Sequence, residues 1–297
     1  MRYLTNLRTL VFTRIPLQQT WTNRWIILIT TTVHTFSSKN GPTISAGVAY
    51  FALFSIFPLI LTIIAVIGYL FSDVTKQLDL VSTTQKLVPV STLFLSETMQ
   101  GVVNNRGPLS LIATFGLLWS GLAVFSALRK GINHAWDVKS QPNLMKGRLM
   151  DLIIAIGVVS AIFIKIVLLA TLFEMARVGE SLYTIGGELL IKIPASFLSF
   201  FITFIVLLLL YKYVPNRQIR WQDIWLGTLV GALLFEGNKL VVAFYFSRFS
   251  DFNLVYGSLG GLMIILAWVY ISSFIVLFAA QFCAVYFRII GSGRDNP

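Results

Sequence analysis

Residues 226–246 read LGTLVGALLFEGNKLVVAFYF, a stretch apolar enough to cross a bilayer that nevertheless carries Glu236 and Lys239 at its middle. About 20 predominantly apolar residues suffice to span the hydrocarbon layer as a helix. A charge at that depth costs at least ~2.5–3.5 kcal/mol on insertion scales, so a mid-span acid and base form a functional-site hypothesis by default. Three residues apart, Glu236 and Lys239 share a helix face and can pair locally. At about 100° per residue, Gly227, Gly231 and Asn238 fall within about 40° of one another, and the charged pair lies ~120–180° round from Gly227. The span therefore has a small-residue face for close helix contact and a charged face on its other side.

The rest of the chain is of the same character. It has 297 residues, of which 56% are hydrophobic and 12% charged, against about 25% charged in soluble domains. Its mean hydropathy is +0.80. Apolar runs of 18 or more residues recur, which identifies an all-α polytopic membrane protein. Six spans are expected, at Ile44–Leu70, Leu109–Leu128, Leu152–Phe173, Leu189–Tyr211, Ile224–Phe246 and Leu259–Phe287. Residues 1–43 read as a cytoplasmic or interfacial segment, with Trp21 and Trp25 among its arginines and no cleavable signal. Residues 71–108 read as short extracytoplasmic interfacial helices, 44–287 as the membrane domain, and 288–297 as a cytoplasmic tail. Pro58, inside the first span, is expected to kink it, since proline removes a backbone hydrogen bond.

Charge sets the orientation. The net charge is +11, and its dispersed Lys and Arg suit topology and contact with anionic lipid better than nucleic acid. Fifteen of these residues fall on the side of the two termini and five on the other. The positive side is the cytoplasmic one, so both termini are expected there. Lys165, in the third span, then matches Glu236 and Lys239 in depth. The expected substrate-binding set is Glu236, Lys239, Lys165 and Asn238. With two bases and one acid, such a cavity would favour an anionic group. The competing reading is a buried ion pair that only fixes helix register. Pro58, Gly227, Gly231, Gly260 and Gly261 are the expected hinge and packing positions.

Other chemistries find little support. There is no nucleotide-binding glycine loop and no HExxH; His34 and His134 sit on separate segments, and Cys283 stands alone. Cytoplasmic acids are widely spaced, without the carboxylate cluster of two-metal nuclease chemistry. Neither enzymatic activity nor a cofactor or metal is expected. Membrane lipids are the expected partners, with an anionic lipid or small molecule as substrate, no nucleic acid, and homo-oligomerisation left open.

Four stretches carry a family resemblance: SAGVAYFALFSIFPLIL (45–61), INHAWDV (132–138), YKYVPNRQIRWQDIWLGTLVGALLFEGNK (211–239) and NLVYGSLGGLMIILAWVYISSFIVLFAAQF (253–282). They resemble the YihY/virulence factor BrkB family, from about Gly41 to Arg288. The resemblance implies a six-helix bacterial inner-membrane protein with cytoplasmic termini and an envelope-related role such as movement of lipid or a lipopolysaccharide precursor. The family's historical label, ribonuclease BN, has no nuclease constellation behind it in this chain. Glu236 and Lys239 match the family's FE..K positions. Where relatives often carry Glu, this chain has Gln281, so the resemblance does not carry over a proton-coupling role for that acid. Lys165 falls on no family motif.

Overall fold

The computed structural model describes residues 21–70, 106–138, 144–180, 187–248 and 258–291. Among them the chain is all helix and connecting turn, with no strand. In chain order the helices are α1 (Trp21–Ser38), α2 (Gly41–Leu70), α3 (Arg106–Ala135), α4 (Leu144–Glu180), α5 (Gly187–Tyr213), α6 (Trp221–Arg248) and α7 (Ser258–Tyr286), the last continued by a π-helical turn, Phe287–Gly291. The shortest of α2–α7 has 27 residues, about 40 Å of helix against a hydrocarbon layer of ~30 Å. Each of the six expected spans begins within one of these helices. Three stretches among the described residues are long and apolar enough to cross a membrane: Ser196–Tyr213 in α5, Trp221–Val242 in α6, and Ile265–Ile290, which runs from α7 through the π-helical turn. The expected interfacial helices between 71 and 105 lie outside the described residues. Helix α2 runs continuously through Pro58, and α7 through Gly260 and Gly261.

Sequence neighbours pack side by side. Helix α2 lies on α3, α3 on α4, α4 on α5, α5 on α6 and α6 on α7, and α7 closes the ring against α2. Helix α1 docks along α7. Its buried positions Leu28, Thr32 and Phe36 recur every four residues, leaving Ile26, Ile29 and Val33 exposed. Phe36 meets Phe274 and Phe278 edge-on at ring separations of 4.9 and 5.5 Å.

The α6–α7 seam depends on two missing side chains. A Cβ added at Gly227 would lie 2.3 Å from Cys283 Sγ and 3.2 Å from the Ala279 carbonyl; one at Gly231 would lie 2.7 Å from the Ala279 Cβ. The small-residue face thus permits backbone approach within one chain, and Cys283 is a fully buried filler of that seam. Nearby, the buried Tyr211 hydroxyl of α5 donates to the Val276 carbonyl of α7 at 2.8 Å.

One end of the ring is stitched by polar contacts. Helix α3 closes with Val138 N–H donating to the Asn133 carbonyl at 3.0 Å and Asp137 N–H to that of His134 at 3.2 Å. Asp137 takes a left-handed φ of 54°, the Schellman arrangement with aspartate where glycine is commonest. Lys39 Nζ, from the α1–α2 turn, donates to the His134 and Ala135 carbonyls at 3.3 and 3.2 Å and pairs with Asp137 at 2.6 Å. Arg288, after α7, pairs with the same carboxylate. Asn216, between α5 and α6, donates its N–H to Asn133 Oδ1 at 2.9 Å. Arg129 of α3 grips Asp151 of α4 through Nε at 2.6 Å and Nη2 at 3.3 Å, both residues being buried. The start of α2, end of α3, start of α4, end of α5, start of α6 and end of α7 therefore gather at one level, and consecutive helices run in opposite directions.

Two predictions follow from these contacts. Gly227→Ala should lower the thermal midpoint of the detergent-purified protein by the equivalent of about 1–3 kcal/mol of overpacking. Gly237→Ala, on the same helix with nothing within 4 Å of its added Cβ, should be neutral or slightly stabilising. The second concerns acid. Burial pushes the Asp137 carboxyl up, but Lys39 and Arg288 together hold it below its usual range. The folded value is thus depressed, so this stabilisation is present above the unfolded value and lost as pH falls through the folded one. Thermal midpoints measured from pH 5 to pH 3 should fall more steeply for the native chain than for Asp137→Asn.

Candidate functional site

Helices α4, α5 and α6 form a row with α5 in the centre, and polar side chains from all three meet near mid-length. Glu236 lies 12 residues beyond Ile224 and Lys165 lies 14 beyond Asp151, placing both about 18–21 Å from the stitched end. Lys239 Nζ sits 2.5 Å from Glu236 Oε1, one helical turn along α6. Lys165 Nζ approaches the same oxygen at 3.9 Å from α4. Between them, α5 supplies Ser199 and Thr203, whose hydroxyls reach Glu236 Oε1 at 3.3 and 2.8 Å.

The two α5 residues are joints rather than spectators. Lys165 donates to the Ser199 carbonyl at 3.4 Å and to Thr203 Oγ1 at 3.3 Å; Lys239 reaches the Ser199 and Thr203 hydroxyls at 3.4 and 3.5 Å. Thr203 Oγ1 also lies 2.9 Å from the Ser199 carbonyl one turn back. A hydroxyl has one proton, so Thr203 donates to that carbonyl or to Glu236, but not to both at once. Charge-assisted hydrogen bonds of this kind compensate desolvation that a lone carboxylate in an apolar setting could not bear.

Electrostatically the site holds two ammonium groups and one carboxylate. Their side chains retain 19% (Lys165), 24% (Glu236) and 30% (Lys239) of their surface, so the cluster opens outward rather than being sealed in the bundle. Lys239 also lies 5.4 Å from the centre of the Phe235 ring. Phe197 and Phe201, on the side of α5 turned away from Ser199, and Leu240 on α6 are exposed apolar side chains. A further groove of about 450 Å³ between α4 and α5 is lined by Ile153, Gly157, Ala161, Ile164, Ile205 and Leu209, among others. It reaches Ile164 and Ile202, the neighbours of Lys165 and Thr203.

Of the residues expected from sequence, Lys165, Glu236 and Lys239 are brought together. Asn238 is not: it is buried on the opposite side of α6, where its Nδ2 donates to Ser272 Oγ of α7 at 3.1 Å. Gly227 and Gly231 lie on the α6–α7 seam. Ser199 and Thr203 were not anticipated, because isolated hydroxyl residues in an apolar helix more often satisfy their own backbone. Arg129 and Asp151 fall just outside the expected spans ending at Leu128 and starting at Leu152, and nothing in their spacing announces a buried pair. Among the described residues no three of His, Cys, Asp and Glu gather as a metal site.

A bundle of apolar helices with charges compensated at mid-length defines a helical integral-membrane protein. Comparison with known families places it further: the model described as virulence factor BrkB matches residues 32–296, and the chain belongs to that family. Relatives include a UPF0761 membrane protein of Tolumonas auensis, 30% identical over 82% of this chain and 80% of its own length. A UPF0761 membrane protein of Alteromonas mediterranea is 31% identical over 81% of each chain. A protein of Bacillus subtilis named as ribonuclease-like, YfkH, is 24% identical over 88% of this chain and 96% of its own. No solved structure matches.

The geometry makes Thr203 a measurable support of the cluster. Thr203→Val keeps the shape and removes a hydrogen bond to a charged group, which should cost about 1.5–3 kcal/mol. Thr228→Val, which loses only a bond to its own helix carbonyl at Ile224, should cost less than about 1 kcal/mol. Thermal unfolding of the two variants in one detergent checks the difference.

Proposed function

We propose that this chain is a six-span inner-membrane protein with both termini in the cytoplasm, and that it moves an anionic, amphipathic envelope substrate in the manner of a transporter or flippase. The observation that carries the reading is the meeting of Lys165, Glu236 and Lys239 some 20 Å from the stitched end, about half-way through a bilayer. Support for the topology comes from the alternating helix directions and from the bias of Lys and Arg toward the stitched end. Within the site, Lys239 is held closely by Glu236 at 2.5 Å, whereas Lys165 is held at 3.9 Å. Lys165 is thus the cation that a phosphate or carboxylate would recruit with least loss, and Ser199 and Thr203 would keep Glu236 satisfied while it did so.

A second reading has its own support. Glu236 Oε1 already meets Lys239 and the hydroxyls of Ser199 and Thr203 within the protein, as a purely structural ion pair in a scaffold would require. The ribonuclease-like name borne by the Bacillus subtilis relative finds no counterpart in the residues gathered here, and we read this chain as non-enzymatic.

The test is transbilayer movement of a fluorescent anionic phospholipid in proteoliposomes. The native chain should accelerate it, and Lys165→Met and Lys239→Met should each reduce the rate about tenfold or more, with the thermal midpoint of Lys165→Met changed little. Absence of movement above protein-free vesicles, or equal rates in natively folded variants, would leave the scaffold reading standing.

A further inference from the structure

The stitched end contains a second cavity, separate from the mid-length cluster and not used by the function proposed above. Its volume is about 410 Å³, within the ~300–1,000 Å³ typical of small-molecule sites. It lies between the first turns of α2, the last turns of α3 and the α5–α6 connection. Its polar lining is Arg129, Lys130, Asn133, His134 and Asn216, and no carboxylate faces it among the described residues.

Arg129 is buried, and its pairing with Asp151 engages two of its five N–H groups. The guanidinium faces α4, where a Cβ added at Gly147 would lie 3.0 Å from Nη2, so Arg129 borders the cavity as an ion-paired residue and leaves the donor role to its neighbours. Lys130 and His134 are one turn apart on α3, both exposed, and neither side chain has a partner among the described residues. Asn133 is locked in place by its bonds to the Arg129 carbonyl and the Asn216 N–H. On the facing wall, Gly47 of α2 opens the space: an added Cβ there meets nothing within 4 Å.

We infer that this cavity is a binding site for a phosphate-bearing ligand. The Lys130 ammonium and the His134 imidazole one turn along, beside a concave wall that holds no carboxylate among the described residues, match the acceptor oxygens of a phosphate group. Two sources present that chemistry at such a level: a phosphorylated small molecule in the aqueous phase, or the headgroup of an anionic phospholipid in the adjoining leaflet. The chemistry is shared, and the source is decided by experiment.

The full-length purified chain is titrated by calorimetry with inorganic phosphate and pyrophosphate in a neutral detergent. In parallel, native mass spectrometry measures retention of phosphatidylglycerol against phosphatidylcholine. Saturable binding, weakened by added salt, is expected in at least one arm. Binding in the first assigns a soluble ligand and selective retention in the second a lipid. Lys130→Gln combined with His134→Gln should weaken it about tenfold or more, the loss of charge-assisted bonds. Gly47→Leu, which fills the cavity without touching a charge, should weaken it similarly, and Gly237→Leu, remote from the cavity on α6, should not. Arg129 is left intact because its loss would unpair the buried Asp151. No saturable binding in either arm overturns the site, as does binding by folded charge and cavity-filling variants equal to that of the native chain.

Discussion

One oxygen atom gathers the polar contacts of three helices. Glu236 Oε1 receives Lys239, the Ser199 and Thr203 hydroxyls and, at longer range, Lys165. An uncompensated carboxylate in an apolar medium would neutralise or distort its surroundings. Here three helices must keep their register for the compensation to hold. A slip of one turn along any of them, about 5.4 Å, would separate the partners. The cluster is thus both a candidate site and a constraint on how α4, α5 and α6 can slide, and these two roles are not exclusive.

The α6–α7 seam works by a different force. Between apolar helices in lipid there is little hydrophobic drive to associate, so close van der Waals packing and interhelical hydrogen bonds carry the contact. Gly227 and Gly231 allow that approach, Cys283 and Ala279 fill the groove, and Asn238 clips the seam to Ser272. One helix therefore presents compensated charge toward α5 and a bare backbone toward α7. At the stitched end, Arg129–Asp151 and the Lys39–Asp137–Arg288 group tie α3 to α4, and the α1–α2 turn to the chain after α7. They close the ring where water and headgroups can solvate the more exposed members.

Much of this was legible from residue order. Apolar run length identifies the helices, since a bilayer selects for about 20 apolar residues whatever their partners. The spacing of Gly227, Gly231, Glu236 and Lys239 separates the two faces of α6, because helical periodicity is a local property. Lys165 could be matched in depth by counting residues from the span's start. Asn238 shows the limit of such counting: the same periodicity placed it with the glycines, yet its polarity drew it into the expected binding set, and its buried partner proved to be Ser272. Arg129 and Asp151 were invisible for a related reason. Charged residues flanking a span read as solvated, and burial is a property of neighbours.

The amino-acid sequence by itself determined a helical membrane protein, the bias of its basic residues, and an acid and base within one apolar helix. These depend on composition and on periodicities of a few residues. Tertiary structure alone decided that Ser199 and Thr203 complete the Glu236 cluster, that the glycine face meets Cys283 and Ala279, and that a basic cavity opens opposite Gly47. Each of those needs two or more helices at a particular rotation and height, which no single stretch of chain can encode.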